Sequence, residues 1–179
     1  MGQTVSPPVA APGLAVELLG ALQARGWTVA VAESLTGGLV TSALIAVPGA
    51  SRSVRGGVVA YATDLKASVL GVSSQLLASR GPVDPDVAAA MAAGVRALLG
   101  ADVGLATTGV AGPEPQGGHL PGTVHLAVAT PAGVRVRSAH LAGDRTGVRS
   151  ATRDLVLALA IDVLGESGTG EALGSLDEL

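Results

Sequence analysis

Apolar residues recur at helical spacing at Leu14, Val16, Leu18, Leu19 and Leu22, between Pro12-Gly13 and Arg25-Gly26. This predicts an opening helix ended by a glycine in the left-handed conformation. A short apolar run, Trp27 to Ala32, reads as a buried strand. It leads into Glu33-Ser34-Leu35-Thr36-Gly37-Gly38, a polar turn that opens a helix with Leu39, Val40, Ala43, Leu44 and Val47 inward and Pro48-Gly49 as its stop. Val54 to Tyr61 reads as a second strand, followed by a short helix over about Leu65 to Leu70 that Thr63 or Asp64 can cap. Asp84-Pro85 is an N-cap with proline in the first turn, heading a helix with Val87, Ala88, Met91, Ala92, Val95, Leu98 and Leu99 on one face. Asp102 to Thr107 is a further strand, and it runs into Thr108-Gly109-Val110-Ala111-Gly112-Pro113. Residues 114–121 are too rich in Gly and Pro for regular structure, and loops of that kind commonly serve a site. Gly122 to Thr130 and Val134 to Leu141, joined by Pro131-Ala132-Gly133, form an antiparallel pair. A last helix covers about Thr146 to Leu164.

Strand and helix patterns alternate, so the expectation is an α/β fold: one domain, a three-layer α/β/α sandwich with a mixed sheet. Composition shifts set its bounds at residues 13–164, between a flexible arm (1–12) and a disordered tail (165–179) carrying Gly and acidic residues. At 179 residues the chain is long enough for one well-buried core.

Composition narrows the function. With no Cys, disulfides, thiolate metal sites and cysteine nucleophiles are excluded. His119, His125 and His140 are too scattered to suggest a local metal site, so neither metal nor cofactor is expected. A net charge of -3, two aromatic residues and no basic stripe argue against a nucleic-acid surface. Mean hydropathy is +0.52, yet no apolar stretch is long enough to span a bilayer and no basic leader precedes one. A cytoplasmic protein acting on a small molecule is the expectation.

Known phosphate-loop, dinucleotide, zinc-protease and nucleophile-elbow strings are all missing. Residue economy is more telling. Ten Arg accompany a single Lys, Lys66, and the one Tyr, Tyr61, stands five positions before it at a strand-to-helix junction. Lys at a helix start, partly buried, is pushed toward its neutral form and can serve as a base to a serine hydroxyl. Candidate serines are Ser34, Ser51, Ser53, Ser68, Ser73 and Ser74, and spacing does not choose between Ser34 and Ser51. Backbone N–H groups at Thr36, Gly37 and Gly38 could hold a phosphate or carboxylate. Thr108 and Gly109 end a strand where open α/β sheets bind ligands, and Arg145 offers a phosphate partner.

Six strings stand in order over about residues 14–164: Ala32-Glu33-Ser34-Leu35-Thr36-Gly37-Gly38, Val47-Pro48-Gly49-Ala50-Ser51, Gly56-Gly57-Val58-Val59-Ala60-Tyr61 with Lys66, Thr108-Gly109-Val110-Ala111-Gly112-Pro113, Pro121-Gly122-Thr123-Val124, and Gly143-Asp144-Arg145 with Arg149. Together they resemble the CinA C-terminal domain family in its stand-alone form. The resemblance implies an amidase that hydrolyses nicotinamide mononucleotide to nicotinate mononucleotide and ammonia, as a homo-oligomer. It also implies Ser51 as nucleophile, Lys66 as base and Tyr61 close by, with Glu33, Ser34, Thr108 and Arg145 lining the substrate site and Glu33 facing ribose or amide. Leu35 stands where the family often has Cys, Asp84 where it often has Ser, and residues 114–120 lack a common basic residue. The amino-terminal domain of two-domain members, and any activity it carries, is expected to be absent. The alternative expectation is a non-catalytic nucleotide-binding or interaction protein linked to competence or DNA damage. Replacing Lys66 by Ala is expected to abolish turnover with little loss of stability.

Overall fold

The computed structural model describes residues 13–167. The expected arm, 1–12, and most of the expected tail lie outside them. The elements run α1 (Gly13–Ala24), β1 (Val29–Glu33), α2 (Leu39–Ile45), a 3-10 turn (Ala50–Arg52), β2 (Val54–Val59), α3 (Thr63–Ser68), α4 (Ser74–Arg80), α5 (Pro85–Leu98), β3 (Val103–Gly109), β4 (Thr123–Thr130), β5 (Gly133–His140) and α6 (Arg145–Ser167). Their order in the single sheet is β2-β1-β3-β4-β5. β2, β1 and β3 are mutually parallel, whereas β4 and β5 join antiparallel, giving the mixed α/β sheet expected.

The two faces of the sheet are chemically unlike, and that difference arranges the layers. Val29, Val31, Val103, Leu105, Leu126 and Val128 point to one side, where α1, α2 and α6 cover them with Leu18, Leu22, Leu44, Val156 and Leu164. Ala30, Ala32, Ala106, Ala127 and Ala129 point to the other and meet Val87, Met91, Ala92 and Val95 of α5. Side chains this small let α5 come close to the sheet. At Gly104 an added Cβ would run into the Ala92 carbonyl, so this crossing requires glycine.

Several boundaries differ from the periodicity reading. α6 runs through Ser167, so residues 165–167 belong to a helix rather than to the expected tail. β2 stops at Val59, leaving Tyr61 beyond the strand, and Val16 on α1 is exposed. α4 was not anticipated: none of its residues is fully buried and only Leu76 and Leu77 pack against the core, too short an apolar signal to read. Asp84 does cap α5, accepting from the Asp86 N–H at 2.8 Å.

Candidate active site

Parallel register brings three strand ends to one level. Glu33, the last residue of β1, pairs with Val59 of β2 on one side and Thr107 of β3 on the other. Ser34 therefore leaves β1 beside the segment that leaves β2 and the Thr108-Gly109 end of β3, with its own N–H still on the Thr107 carbonyl. A cleft opens there, lined by Ser34, Leu35, Tyr61, Thr63, Lys66, Pro82, Val83, residues 108–114, Gln116 and Arg145. Its volume is about 190 Å³, room for a small ring and its substituents but not for a folded chain or a duplex.

Lys66 forms the floor. It is 1% exposed and is the largest fully buried side chain among the described residues. α3 turns it inward, where the ammonium donates to the Ala60 carbonyl at 2.7 Å and to Ser34 Oγ at 3.1 Å. No carboxylate among the described residues accepts from it, so burial acts unopposed and pulls its pKa from 10.5 down to about 8. At neutral pH roughly a tenth of such a group is unprotonated. Neutral Nζ can keep one hydrogen on Ala60 and accept the hydroxyl proton of Ser34. A serine hydroxyl in contact with a depressed lysine is a nucleophile paired with its base.

Ser51 is elsewhere. It sits exposed on the 3-10 turn before β2, in a shallow depression with Ile45, Pro48, Gly49, Arg55 and Gly56. Ser53, two residues on, has its carbonyl on the Val29 N–H at the start of β1. Ser34 follows the other end of that strand, four residue steps or ~13 Å away. The structure thus corrects the pairing: Lys66 meets Ser34, not Ser51. A signal for this was present, because Ser34 follows a predicted strand and Ser51 precedes one, and ligands of open α/β sheets gather at carboxyl ends.

Glu33 moves too. Its carboxylate is wholly buried and lines no part of the cleft. It accepts from the N–H groups of Gly38, Val40 and Thr41 and from Thr41 Oγ1, at 2.7–3.1 Å. The start of α2 is therefore already occupied by an anion from its own chain, which removes it as a phosphate cradle. Thr36 is buried with its hydroxyl on Thr107 Oγ1 at 2.7 Å, and neither it nor Gly37 or Gly38 lines the cleft. Glycine at 37 serves the turn itself, with φ of +57° and its N–H on the Ser34 carbonyl.

The remaining expected residues lie at the cleft with defined partners. Thr108 Oγ1 donates to the Pro82 carbonyl at 2.7 Å and ties down the segment ahead of α5. Arg145, at the start of α6, donates to the Gly112 carbonyl at 2.8 Å and to Tyr61 Oη at 3.1 Å. Tyr61 thus meets Arg145 at the rim rather than Lys66 at the floor. Thr63, Pro82, Val83, Glu114 and Gln116 line the cleft without having been named as site residues from the sequence. Among the scattered histidines, His125 is held by Ser138 Oγ at 2.8 Å.

Comparison with known proteins agrees with this placement of the fold. Residues 12–164 match the CinA C-terminal domain. A CinA-like protein of Frankia casuarinae is 56% identical over 133 residues, which are 74% of this chain and 31% of that protein. A CinA-like protein of Gloeobacter violaceus is 47% identical over 155 residues, 86% of this chain and 36% of that protein. The chain therefore spans about a third of the length of these relatives. Among solved structures, a competence-damaged protein (CinA) superfamily protein from Klebsiella pneumoniae superposes with a TM-score of 0.85 at 30% identity, covering 88% of this chain and 99% of that one. One from Escherichia coli gives 0.84 at 31% identity, covering 90% and 94%. Among the described residues, no helix is long and apolar enough to cross a membrane.

Proposed function

The chain belongs to the CinA C-terminal domain family, and from that premise we propose that its cleft hydrolyses the carboxamide of nicotinamide mononucleotide with Ser34 as nucleophile and Lys66 as base. The observation that carries the reading is the buried Lys66 ammonium, depressed to about 8 and in contact with Ser34 Oγ. Ser34 Oγ attacks the amide carbon while its proton passes to Lys66 Nζ. Collapse of the tetrahedral adduct breaks the C–N bond, and Lys66 returns the proton to the leaving nitrogen as ammonia departs. Water, deprotonated in turn by Lys66, attacks the acyl-serine; the C–Oγ bond breaks, Lys66 passes the proton to Ser34 Oγ, and nicotinate mononucleotide leaves. Arg145 at the rim suits the substrate phosphate, since a guanidinium can offer two parallel donors to it. Tyr61 braces that guanidinium.

A second reading draws on the solved relatives described as competence or damage-inducible proteins, such as one from Agrobacterium tumefaciens at 32% identity and a TM-score of 0.82. On that reading the cleft binds a nucleotide without chemistry. Ammonia release from nicotinamide mononucleotide by the purified chain, in EDTA, separates the two. Turnover yielding nicotinate mononucleotide is expected, whereas a folded protein that binds the nucleotide and releases no ammonia would favour the second reading.

A further inference from the structure

The carbonyls of Ser34, Leu35 and Thr36 each have a donor. Ser34 O accepts from the Gly37 N–H at 3.1 Å, and Leu35 O accepts from Arg149 Nε at 2.9 Å. Thr36 O takes Arg149 Nη2 at 2.9 Å together with the Leu39 N–H at 3.3 Å. The Leu35 N–H, by contrast, donates to no protein acceptor among the described residues. Leu35 nevertheless lines the cleft, although its side chain is buried in a small cluster with Ala111, Val124 and Val148. In a planar trans peptide the N–H points opposite to the C=O, so the Gly37 bond to Ser34 O directs the Leu35 N–H out of the turn.

Arg149 stands one helical turn after Arg145 on α6 but lines no part of the cleft. Its guanidinium spans two successive carbonyls, and it is packed closely enough that a Cβ on Gly37 would lie 3.2 Å from it. We propose, resting on the Ser34–Lys66 amidase reading, that the Leu35 N–H donates to the tetrahedral oxyanion and that Arg149 is the positioning residue holding it there. When Ser34 Oγ bonds to the amide carbon, the electron pair of the C=O moves to oxygen. A donor on the residue next to the nucleophile meets that charge, and the pair returns as the C–N bond breaks. Arg149 touches neither substrate nor Ser34, and acts only through the turn.

The test compares wild type, Arg149→Ala and Arg149→Lys as full chains with nicotinamide mononucleotide. Expected are a fall in kcat of about tenfold to a hundredfold and a KM within about threefold of wild type. Millimolar guanidinium should restore part of the kcat of Arg149→Ala and none of that of Ser34→Ala. Lysine lacks the planar fork that sets Nε and Nη2 on the two carbonyls, so Arg149→Lys is expected to stay low, and it carries the comparison if the alanine variant fails to fold. An unchanged kcat, a rise confined to KM, or a loss that guanidinium does not relieve would overturn the proposal. A wild type that releases no ammonia fails the amidase reading instead. The crystal structure of Arg149→Lys then decides the positioning role, which a rotated Ser34–Leu35 peptide, with the Leu35 N–H turned from the cleft, supports and an unaltered turn overturns.

Discussion

Lys66 reaches Ser34 Oγ at 3.1 Å from a position 1% exposed to solvent, so one burial both depresses the amine and holds it against the hydroxyl. Replacement by Met keeps most of the buried stem and removes the base. Turnover should fall by about a thousandfold or more, as measured by ammonia release. Replacement by Ala is a poorer probe than the sequence suggested, because emptying this site leaves a cavity costing about 2–5 kcal/mol.

The same burial predicts a pH dependence of stability. The folded-state pKa, about 8, lies below the ordinary 10.5, so the unfolded chain binds the proton more tightly. The cost of the buried ammonium is fully present below pH 8, is relieved as pH rises through 8, and is gone above 10.5. Urea unfolding of wild type and Lys66→Met should therefore show wild type gaining relative stability between pH 7 and 10. Equal pH dependence in the two proteins would contradict a depressed lysine. The kcat/KM profile of wild type should rise with a midpoint near 8.

Glu33 is predicted to matter for the fold of the site rather than for contact with substrate. Glu33→Gln turns an amide NH2 toward the N–H donors of α2 that the carboxylate now satisfies. A loss of about 2–3 kcal/mol is expected from urea midpoints. KM should change little in protein that remains folded, and a large rise in KM would return Glu33 to the binding surface.

Hydrophobic periodicity made most of the fold legible, because the helices that cover the sheet need inward stripes and the strands flank them with turn residues. α4 escaped for the converse reason, having only Leu76 and Leu77 half-buried against the core. At the site, rarity pointed to Lys66 and Tyr61, but the burial of Lys66 depends on how α3 packs. Glu33 and Ser34 are adjacent in sequence, yet the first turns into α2 and the second into the cleft. Strings such as Ala32 to Gly38 mark a site without saying which side chain faces it. Arg149 acts across more than a hundred residues on the Leu35 and Thr36 carbonyls, a contact that only the packing of α6 creates.

Arg145 should separate phosphate recognition from chemistry. Its two hydrogen bonds, to Gly112 O and Tyr61 Oη, set the guanidinium at the cleft rim. Arg145→Ala is expected to raise KM for nicotinamide mononucleotide roughly tenfold to a hundredfold, with kcat less affected. The nucleoside without phosphate should show little difference between variant and wild type. An equal penalty on both substrates would place the phosphate elsewhere.

The choice of nucleophile is tested most directly by ammonia release from nicotinamide mononucleotide by Ser34→Ala and Ser51→Ala, measured side by side on folded protein. Ser34 contacts Lys66 inside the cleft and Ser51 lies exposed near the opposite end of β1. The account predicts activity lost in Ser34→Ala and retained near the wild-type level in Ser51→Ala. Activity that survives in Ser34→Ala and disappears in Ser51→Ala would contradict it.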